Sequence, residues 1–227
     1  KIKEIKELLA KPKARRESRC FVVEGPRMVS EIPGDRLEAL YISESYANAA
    51  GSGMYPDAEI VADHVFNSVS GTQTPQGVLA VVRMKEEGDA GPMPGETPLL
   101  LFLENIQDPG NLGTILRTAE CAGVSEVIMS RGCTDIYSPK AVRSTMGSVF
   151  RVNFRICDDL PGTVREYRTR GVKVYAAHLS GHKSCYDCDY TEPCGFVIGN
   201  EGNGLSDEAA SSADRLIRIP MEGSAES

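Results

Sequence analysis

Hydrophobic positions in the first 85 residues follow two alternating periods. Short apolar runs typical of buried strands occupy residues 20–23, 40–42, 59–61 and 78–82. Between them, apolar residues at helical spacing predict helices near residues 2–9, 44–50 and 63–69, and Gly25-Pro26 opens another helix, since proline is tolerated in a first turn. The pattern predicts a small α/β domain of about four strands.

The alternation restarts after residue 98. Apolar runs predict strands at residues 99–103, 127–129, 152–156, 173–177, 195–198 and 216–219. Helical spacing predicts helices at residues 112–122, 139–147 and 160–170. Strands that alternate with helices favour a largely parallel sheet, whose ligand sites lie where the strands end. Residues 86–98, with three prolines and three glycines, are predicted to link a domain of residues 1–85 to one of residues 99–227.

Charge is unevenly distributed. The net charge is −7, yet residues 1–19 hold eight Lys or Arg against three Glu. This N-terminal basic segment, with Lys13, Arg15 and Arg16, is typical of a surface that binds nucleic-acid phosphates, although a solvated helix end explains it equally well. No apolar run approaches the roughly 18 residues of a membrane span, and no signal peptide is recognisable, so we expect a cytoplasmic protein without a membrane partner.

Seven cysteines, an odd number in a chain of this size, indicate reduced thiols and agree with a cytoplasmic location. Cys185 and Cys188 have the spacing of a zinc-binding pair, with His182 and Cys194 nearby. A second well-spaced pair is missing, so we predict no metal site.

Candidate chemistry lies in three loops that follow predicted strands. In the first, residues 104–117, a helix is predicted to begin near Asn111, which places Arg117 one turn in and away from the apolar face. The helix dipole disfavours a cation there, so the position indicates an anionic ligand such as phosphate.

The second loop, residues 198–205, has the pattern G-x-x-G-x-G. It meets neither the dinucleotide fingerprint nor the P-loop pattern, which disfavours a nicotinamide-dependent oxidoreductase. Glu201 lies among its glycines, where the backbone can approach a ligand closely. The third loop, residues 217–224, follows the last predicted strand.

Taken in order, these loops resemble the three motifs of the SpoU, or TrmH-like, RNA 2'-O-ribose methyltransferases of the SPOUT class. The matching positions are Asn105, Gly110, Asn111, Gly113, Arg117 and Ala119, then Gly199, Asn200, Glu201, Gly202, Gly204 and Leu205, then Ile219, Pro220, Met221 and Gly223. Residues 21–25 and 74–82 resemble phrases of the L30e-like substrate-binding domain that precedes many such enzymes.

The resemblance implies an α/β protein in which an L30e-like RNA-binding domain precedes a knotted SPOUT domain, an exception to the rule that chains do not thread loops. It also implies bound S-adenosylmethionine and a homodimer whose site combines both subunits. The family's third motif continues into a further segment and a last helix. Because this sequence stops at Ser227, we expect part of the cofactor site to be missing from it.

The resemblance assigns catalytic roles to Arg117, Glu201 and Asn111. Arg117 is expected to bind a phosphate and stabilise negative charge, because a guanidinium stays protonated and makes a poor base. Glu201 is expected to accept the proton or orient Arg117, unless it merely pairs with the loop. Asn111 and Asn105 are expected to position the loop or the ribose, or to cap the helix.

The remaining expected contacts are to the cofactor and to RNA. The cofactor-binding positions are Ala177, His178, Gly199, Gly204, Leu205, Ile219 and Met221. Arg143 joins Lys13, Arg15 and Arg16 as an RNA contact. The expected substrate is ribosomal RNA of the 23S type, which the family pairs with this N-terminal domain. A tRNA 2'-O-methyltransferase and a non-catalytic RNA-binding module of the same fold remain the alternatives.

Overall fold

A computed structural model describes residues 1–50, 53–85 and 97–223. Its internal contacts divide the chain into two units. The first unit comprises Lys1–Glu86 and Asp135–Phe150, and the second comprises Glu87–Thr134 and Arg151–Ser227. All but the last two residues of the predicted linker lie outside the described residues.

The helices and strands of the described residues follow in chain order. The helices are α1 (Ile2–Ala10), α2 (Pro12–Ser18), α3 (Pro26–Val29), α4 (Glu44–Ala50), α5 (Asp63–Val69), α6 (Pro109–Cys121), α7 (Pro139–Thr145), α8 (Leu160–Thr169) and α9 (Asp207–Ser212). The strands are β1 (Cys20–Glu24), β2 (Leu37–Ser43), β3 (Glu59–Val61), β4 (Val78–Arg83), β5 (Leu99–Leu103), β6 (Glu126–Ser130), β7 (Phe154–Cys157), β8 (Lys173–Ala177), β9 (Lys183–Ser184), β10 (Cys194–Ile198) and β11 (Arg215–Arg218). None of these helices is long and apolar enough to cross a membrane.

The first unit is built on a four-stranded sheet in the order β1-β4-β2-β3. Strand β4 pairs antiparallel with β1 and β2, and β2 pairs parallel with β3. Helices α1 and α5 cover one face, where Ile5, Leu8 and Phe66 pack against Tyr41 and Leu79. The predicted small α/β domain of four strands is confirmed.

The N-terminal basic segment is folded as α1 and α2 and belongs to this core. Lys11 is extended between the two helices, because Pro12 cannot continue α1 and instead starts α2. Ile5 and Leu8 are each only 2% exposed, so α1 contributes buried apolar surface as well as charge. Lys13 and Arg16 remain exposed on α2.

Arg15 differs from its neighbours because its side chain is buried. Its guanidinium donates to Asp135 Oδ2 from Nε and Nη2 at 2.9 and 2.7 Å, and to the Leu8 carbonyl from Nη1 at 2.5 Å. A buried, fully engaged guanidinium cannot reach an RNA phosphate in this conformation. Arg15 therefore holds α2 in place, and the surface charge of the segment rests on its neighbours.

The second unit is built on a seven-stranded sheet in the order β7-β6-β5-β10-β8-β11-β9. All six pairings are parallel, as the sequence predicts. Helices α8 and α9 cover one face, where Tyr167, Val164 and Ala209 pack against Leu100 and Phe102. Strands β5, β10, β8 and β11 are neighbours, so the loops that follow them begin at one edge of the sheet.

Three short elements, α2, α9 and β9, and one helix start differ from the prediction. Helix α9 begins at a Ser206 cap and buries only small residues, so its apolar periodicity is weak. Helix α6 begins at Pro109, before the start predicted at residues 111–112, because Asp108 accepts a hydrogen bond from the backbone N–H of Asn111 at 2.9 Å.

Candidate functional site

The Glu201 carboxylate joins the second loop to the first. It accepts hydrogen bonds from the backbone N–H groups of Gln107 and Asp108, both at 3.0 Å, and from Asn111 Nδ2 at 3.1 Å. Desolvation alone would raise the pKa of Glu201, but the hydrogen bonds, led by that from Gln107, outweigh it and hold the pKa below its ordinary value. Glu201 is therefore ionised at neutral pH and engaged with the turn that starts α6.

Asn200 shapes the backbone of the second loop. Its side-chain oxygen accepts from the N–H groups of Gly202 and Asn203, both at 2.9 Å, and its Nδ2 donates to the Asn105 carbonyl at 2.8 Å. Asn105 has a φ of +54°, a left-handed conformation that asparagine tolerates better than most residues. The two loops are thus held together by Asn200 as well as by Glu201.

The position of Arg117 within α6 corrects one expectation. Because the helix starts at Pro109, Arg117 lies in the third turn rather than one turn in. The dipole acts mainly within the first turn, so it neither disfavours this cation nor explains it. The N-cap is Asp108 and not Asn111, whose side chain instead contacts Glu201.

The Arg117 side chain is exposed and makes no hydrogen bond or ion pair with any residue that the structure describes. Glu201 accepts hydrogen bonds from Gln107, Asp108 and Asn111, and the structure shows none from Arg117 to Glu201. A guanidinium with all five N–H donors available is suited to bind an anion supplied from outside the chain.

The second loop closes on itself through its glycines. Asn200 and Gly204 exchange backbone hydrogen bonds of 3.0 and 2.9 Å, and Gly204 has a φ of +69°. A Cβ on Gly199 would lie 2.3 Å from the Gly204 carbonyl carbon, so only glycine permits this approach. Leu205 follows as a buried side chain that anchors the loop.

We expect Gly199→Ala to open this loop, because the added methyl would meet backbone atoms that cannot rotate away. The variant should melt at a lower temperature and lose affinity for S-adenosylmethionine in calorimetric titration. Gly34→Ala is the control, since a Cβ there would meet nothing within 4 Å and the residue lies outside the predicted cofactor site. Equal affinities for both variants would contradict a role of the Gly199 contact in shaping the site.

The other predicted cofactor positions lie where β8 and β11 end. The His178 N–H donates to the Ile217 carbonyl at 2.9 Å, which extends the pairing of Ala177 with Ile217. Beyond β11, the large apolar side chains of Ile219 and Met221 are 53% and 52% exposed. Exposed apolar side chains beside backbone N–H and C=O groups suit an adenosine, which has an apolar face and a hydrogen-bonding edge.

Four residues that organise the site were not predicted. They are Glu104, Gln107, Ser130 and Gly132. Gln107 Nε2 donates to the carbonyls of Asn105 and Gly132 at 3.1 and 2.6 Å, and Ser130 Oγ accepts from the Asn105 N–H at 3.0 Å.

Buried Glu104 holds Ser206, the residue that caps α9, by accepting from Ser206 N and Oγ at 2.7 and 2.6 Å. The sequence signal that could have identified Glu104 is an acidic residue directly after a predicted apolar strand.

No group of three or more metal-ligating side chains forms among the residues that the structure describes. His182 is exposed whereas Cys194 is buried, so these two side chains of the segment that suggested zinc differ in their exposure to solvent.

Of the predicted RNA contacts, Lys13 and Arg16 are exposed and Arg143 is half-buried on α7.

Comparison with known proteins agrees with this geometry. A model of the SpoU rRNA Methylase family matches residues 98–227, and a model of the MRM3-like substrate binding domain matches residues 1–80. The chain is 33% identical over 233 residues to the 23S rRNA (guanosine(2553)-2'-O)-methyltransferase RlmP of Bacillus subtilis, which covers 100% of this chain and 90% of that protein.

Among the solved structures to which this chain is similar, two contain the cofactor AdoMet, which is S-adenosylmethionine. The rRNA methyltransferase from Sinorhizobium meliloti is 32% identical, with a TM-score of 0.82 over 100% of this chain and 87% of that one. The SpoU methyltransferase AviRb from Streptomyces viridochromogenes is 27% identical, with a TM-score of 0.84 over 100% of this chain and 90% of that one.

Proposed function

The chain belongs to the SpoU rRNA methylase family, and from this we propose that it transfers a methyl group from S-adenosylmethionine to a ribose 2'-hydroxyl of 23S-type ribosomal RNA. The observation that carries the proposal is the similarity to the Bacillus subtilis enzyme, which extends over the whole chain. The loop-to-loop contact made by Glu201 supports it, because that contact joins two of the family motifs.

S-adenosylmethionine supplies an electrophilic methyl group on a sulfonium. We propose that the backbone of residues 199–205, together with Ala177 and His178, holds the adenosine, and that Ile219 and Met221 cover its apolar face. Their exposure and the close approach of Gly199 to Gly204 support this assignment.

Arg117 is the proposed catalytic residue. Its guanidinium stays protonated, so it cannot remove the hydroxyl proton. A fixed positive charge instead stabilises the negative charge that develops on the 2'-oxygen, and its paired N–H groups suit an adjacent phosphate. The exposed side chain without a partner in the described residues supports this role.

Glu201 is the proposed positioning residue, with Asn111 as its partner. A carboxylate whose pKa is lowered by hydrogen bonds is a weak base at neutral pH, so Glu201 is poorly suited to accept the ribose proton. Its contacts keep the turn before α6 in one conformation and so place the helix that carries Arg117.

The N-terminal part of the first unit, residues 1–85, is the proposed RNA-binding part. Residues 1–85 would bind the substrate, residues 86–98 would link, and residues 99–227 would carry the chemistry. The match of residues 1–80 to a substrate-binding domain supports this division. We further propose a homodimer, a knotted second unit and a cytoplasmic location. The family resemblance supports the first two, and the bacterial rRNA-modifying relative supports the third.

Methyl transfer to isolated 23S ribosomal RNA tests the proposal. The protein and isotopically labelled S-adenosylmethionine should yield RNA that resists alkaline hydrolysis at one phosphodiester, because a 2'-O-methyl group removes the attacking hydroxyl. Preferred methylation of tRNA would favour the tRNA alternative. Cofactor titration without heat, together with no transfer, would favour the non-catalytic module.

We expect Lys13→Gln combined with Arg16→Gln to weaken RNA binding and flatten its salt dependence. Each phosphate contact contributes about 0.7 to 0.9 to the slope of log K against log salt, so losing two should reduce the slope by roughly 1.5. Substitution is preferable to deleting residues 1–19, because deletion would remove Ile5 and Leu8 from the core. Lys183→Gln with Arg165→Gln removes equal charge from the second unit as the control. An unchanged slope would show that the N-terminal basic segment makes no contact with RNA phosphates and is only a solvated pair of helices.

A further inference from the structure

A pocket of about 450 Å³ opens in the first unit, away from every residue assigned above. It lies where β2 ends and α4 and α5 begin, and the loop before β4 completes it. Among its lining residues are Ser43, Tyr46, Phe66 and Gln76. All of these fall within the part of the chain that matches the substrate-binding domain, residues 1–80.

Gly77 brings the loop of the pocket close to α4. It has a φ of +78°, and a Cβ there would lie 2.7 Å from Tyr46 Cβ and 2.9 Å from Ser43 Oγ. Its carbonyl accepts a hydrogen bond from the Ser43 N–H at 2.9 Å, which ties the loop to the end of β2. One wall of the pocket is therefore fixed to the end of β2 by a main-chain hydrogen bond.

The lining combines an apolar interior with polar groups at the opening. Phe66 is 1% exposed and Tyr46 is half-buried, whereas Asn67 and Gln76 are exposed. The amides of Asn67 and Gln76 make no hydrogen bond to any residue that the structure describes. Each amide offers both donors and an acceptor to a ligand.

Asp63 supplies a fixed acceptor in the same pocket. Its carboxylate accepts from the Ser45 N–H at 3.1 Å and from the Ser45 hydroxyl. These bonds, that from the hydroxyl first, lower the pKa of Asp63, which keeps the group ionised at neutral pH. A carboxylate in this state accepts hydrogen bonds and donates none. It therefore favours a base with an amino group over uracil, whose single N–H on this edge is flanked by two carbonyl oxygens that a carboxylate repels.

We infer that this pocket binds an unpaired RNA base that carries an exocyclic amino group, that is adenine, cytosine or guanine in preference to uracil. Proteins recognise single-stranded RNA by stacking splayed bases on aromatic rings and by hydrogen bonding to their edges. Tyr46 provides the ring, Asp63 accepts from the amino group, and Asn67 and Gln76 reach the rest of the edge. The inference rests on the proposed function, because it assumes that RNA is the substrate.

Binding of the full chain to fluorescent single-stranded oligoribonucleotides tests the inference. The probes have equal length and contain only adenosine, only cytidine or only uridine. We expect the adenosine and cytidine probes to bind about tenfold more tightly than the uridine probe, as one well-recognised base edge allows. Equal affinity for all three probes would overturn the inference.

Asn67→Ala combined with Gln76→Ala should lower the affinity for the adenosine and cytidine probes toward that for uridine. Both side chains are exposed, so the fold should be unaffected. Asn48→Ala with Gln73→Ala is the matched control, since both are exposed amides in the same unit outside the pocket. Loss of affinity in the control alone, or in neither variant, would overturn the inference.

Asp63→Asn adds a second arm, because it replaces an acceptor by a group that can also donate. The preference for amino-bearing bases should shrink, whereas an unchanged preference would contradict the role of Asp63. Methyl transfer to 23S ribosomal RNA is measured in parallel. Transfer without base preference would refute the pocket alone, and base preference without transfer to any RNA would refute the proposed function alone.

Discussion

Arg117→Ala is expected to lower the rate of methyl transfer about 10²- to 10³-fold, the effect typical of losing one group that stabilises transition-state charge. The structure predicts little effect on folding, because the side chain is exposed and has no partner in the described residues. Binding of S-adenosylmethionine should be retained, since the proposed adenosine contacts come from other loops. Single-turnover transfer and calorimetric cofactor titration separate the two effects.

Two further variants define the role of Arg117. Arg117→Lys keeps the charge but loses the paired N–H geometry, so it should recover only part of the rate. Arg165→Ala removes an exposed arginine of α8 whose ion pair with Glu208 is long, at 3.9 Å, and should leave transfer unchanged. Full activity of Arg117→Ala would remove this residue from the mechanism.

Glu201→Ala should impair both stability and transfer. It leaves the N–H groups of Gln107 and Asp108 without their protein acceptor, and because Gln107 is exposed and Asp108 is half-buried, the cost is about 0.5–1.5 kcal/mol for each bond. A shift in the turn before α6 would misplace Arg117, and a displacement of about 1 Å can reduce a rate about 100-fold. Thermal unfolding and single-turnover transfer measure the two losses.

Glu201→Gln distinguishes positioning from proton transfer. It keeps one acceptor oxygen, so a positioning role predicts partial activity together with a smaller loss of melting temperature. Glu208→Ala, which removes an exposed carboxylate on α9, is the control. Complete loss of transfer at an unchanged melting temperature would instead make Glu201 the proton acceptor.

The pH dependence of the stability that Glu201 contributes follows from its pKa. The folded-state pKa lies below the ordinary value, so the stabilisation is fully present above that ordinary value and is lost as the pH falls through the folded-state pKa. The difference in unfolding free energy between the native chain and Glu201→Gln should therefore be constant near neutral pH and shrink in acid.

Strands were well predicted because burial forces a local pattern. Residues 99–103 and 173–177 form strands with the predicted bounds, and most of each is a short apolar run that the sheet buries. Residues 59–61 also form a strand with the predicted bounds, although Glu59 and Ile60 are exposed. The start of helix α6 was predicted too far along the chain, because apolar spacing marks the buried face of a helix whereas the cap marks its first residue. The dipeptide Asp108-Pro109 was the signal for that start.

The sequence by itself determined the α/β class, the order of the three motif loops and their likeness to the SpoU family, because periodicity and motif spacing are properties of the linear chain.

Only the tertiary structure decided which polar groups form contacts within the protein and which stay available to a ligand. Arg15 and Arg16 are adjacent in sequence, yet a helix directs them to different surroundings. Arg15 is buried against Asp135, whereas Arg16 is exposed to solvent. Likewise Glu201 and Arg117 both matched family positions, but long-range contacts bind the carboxylate to the Gln107–Asp108 turn and leave the guanidinium available. Such partners lie far apart along the chain, and only folding brings them together.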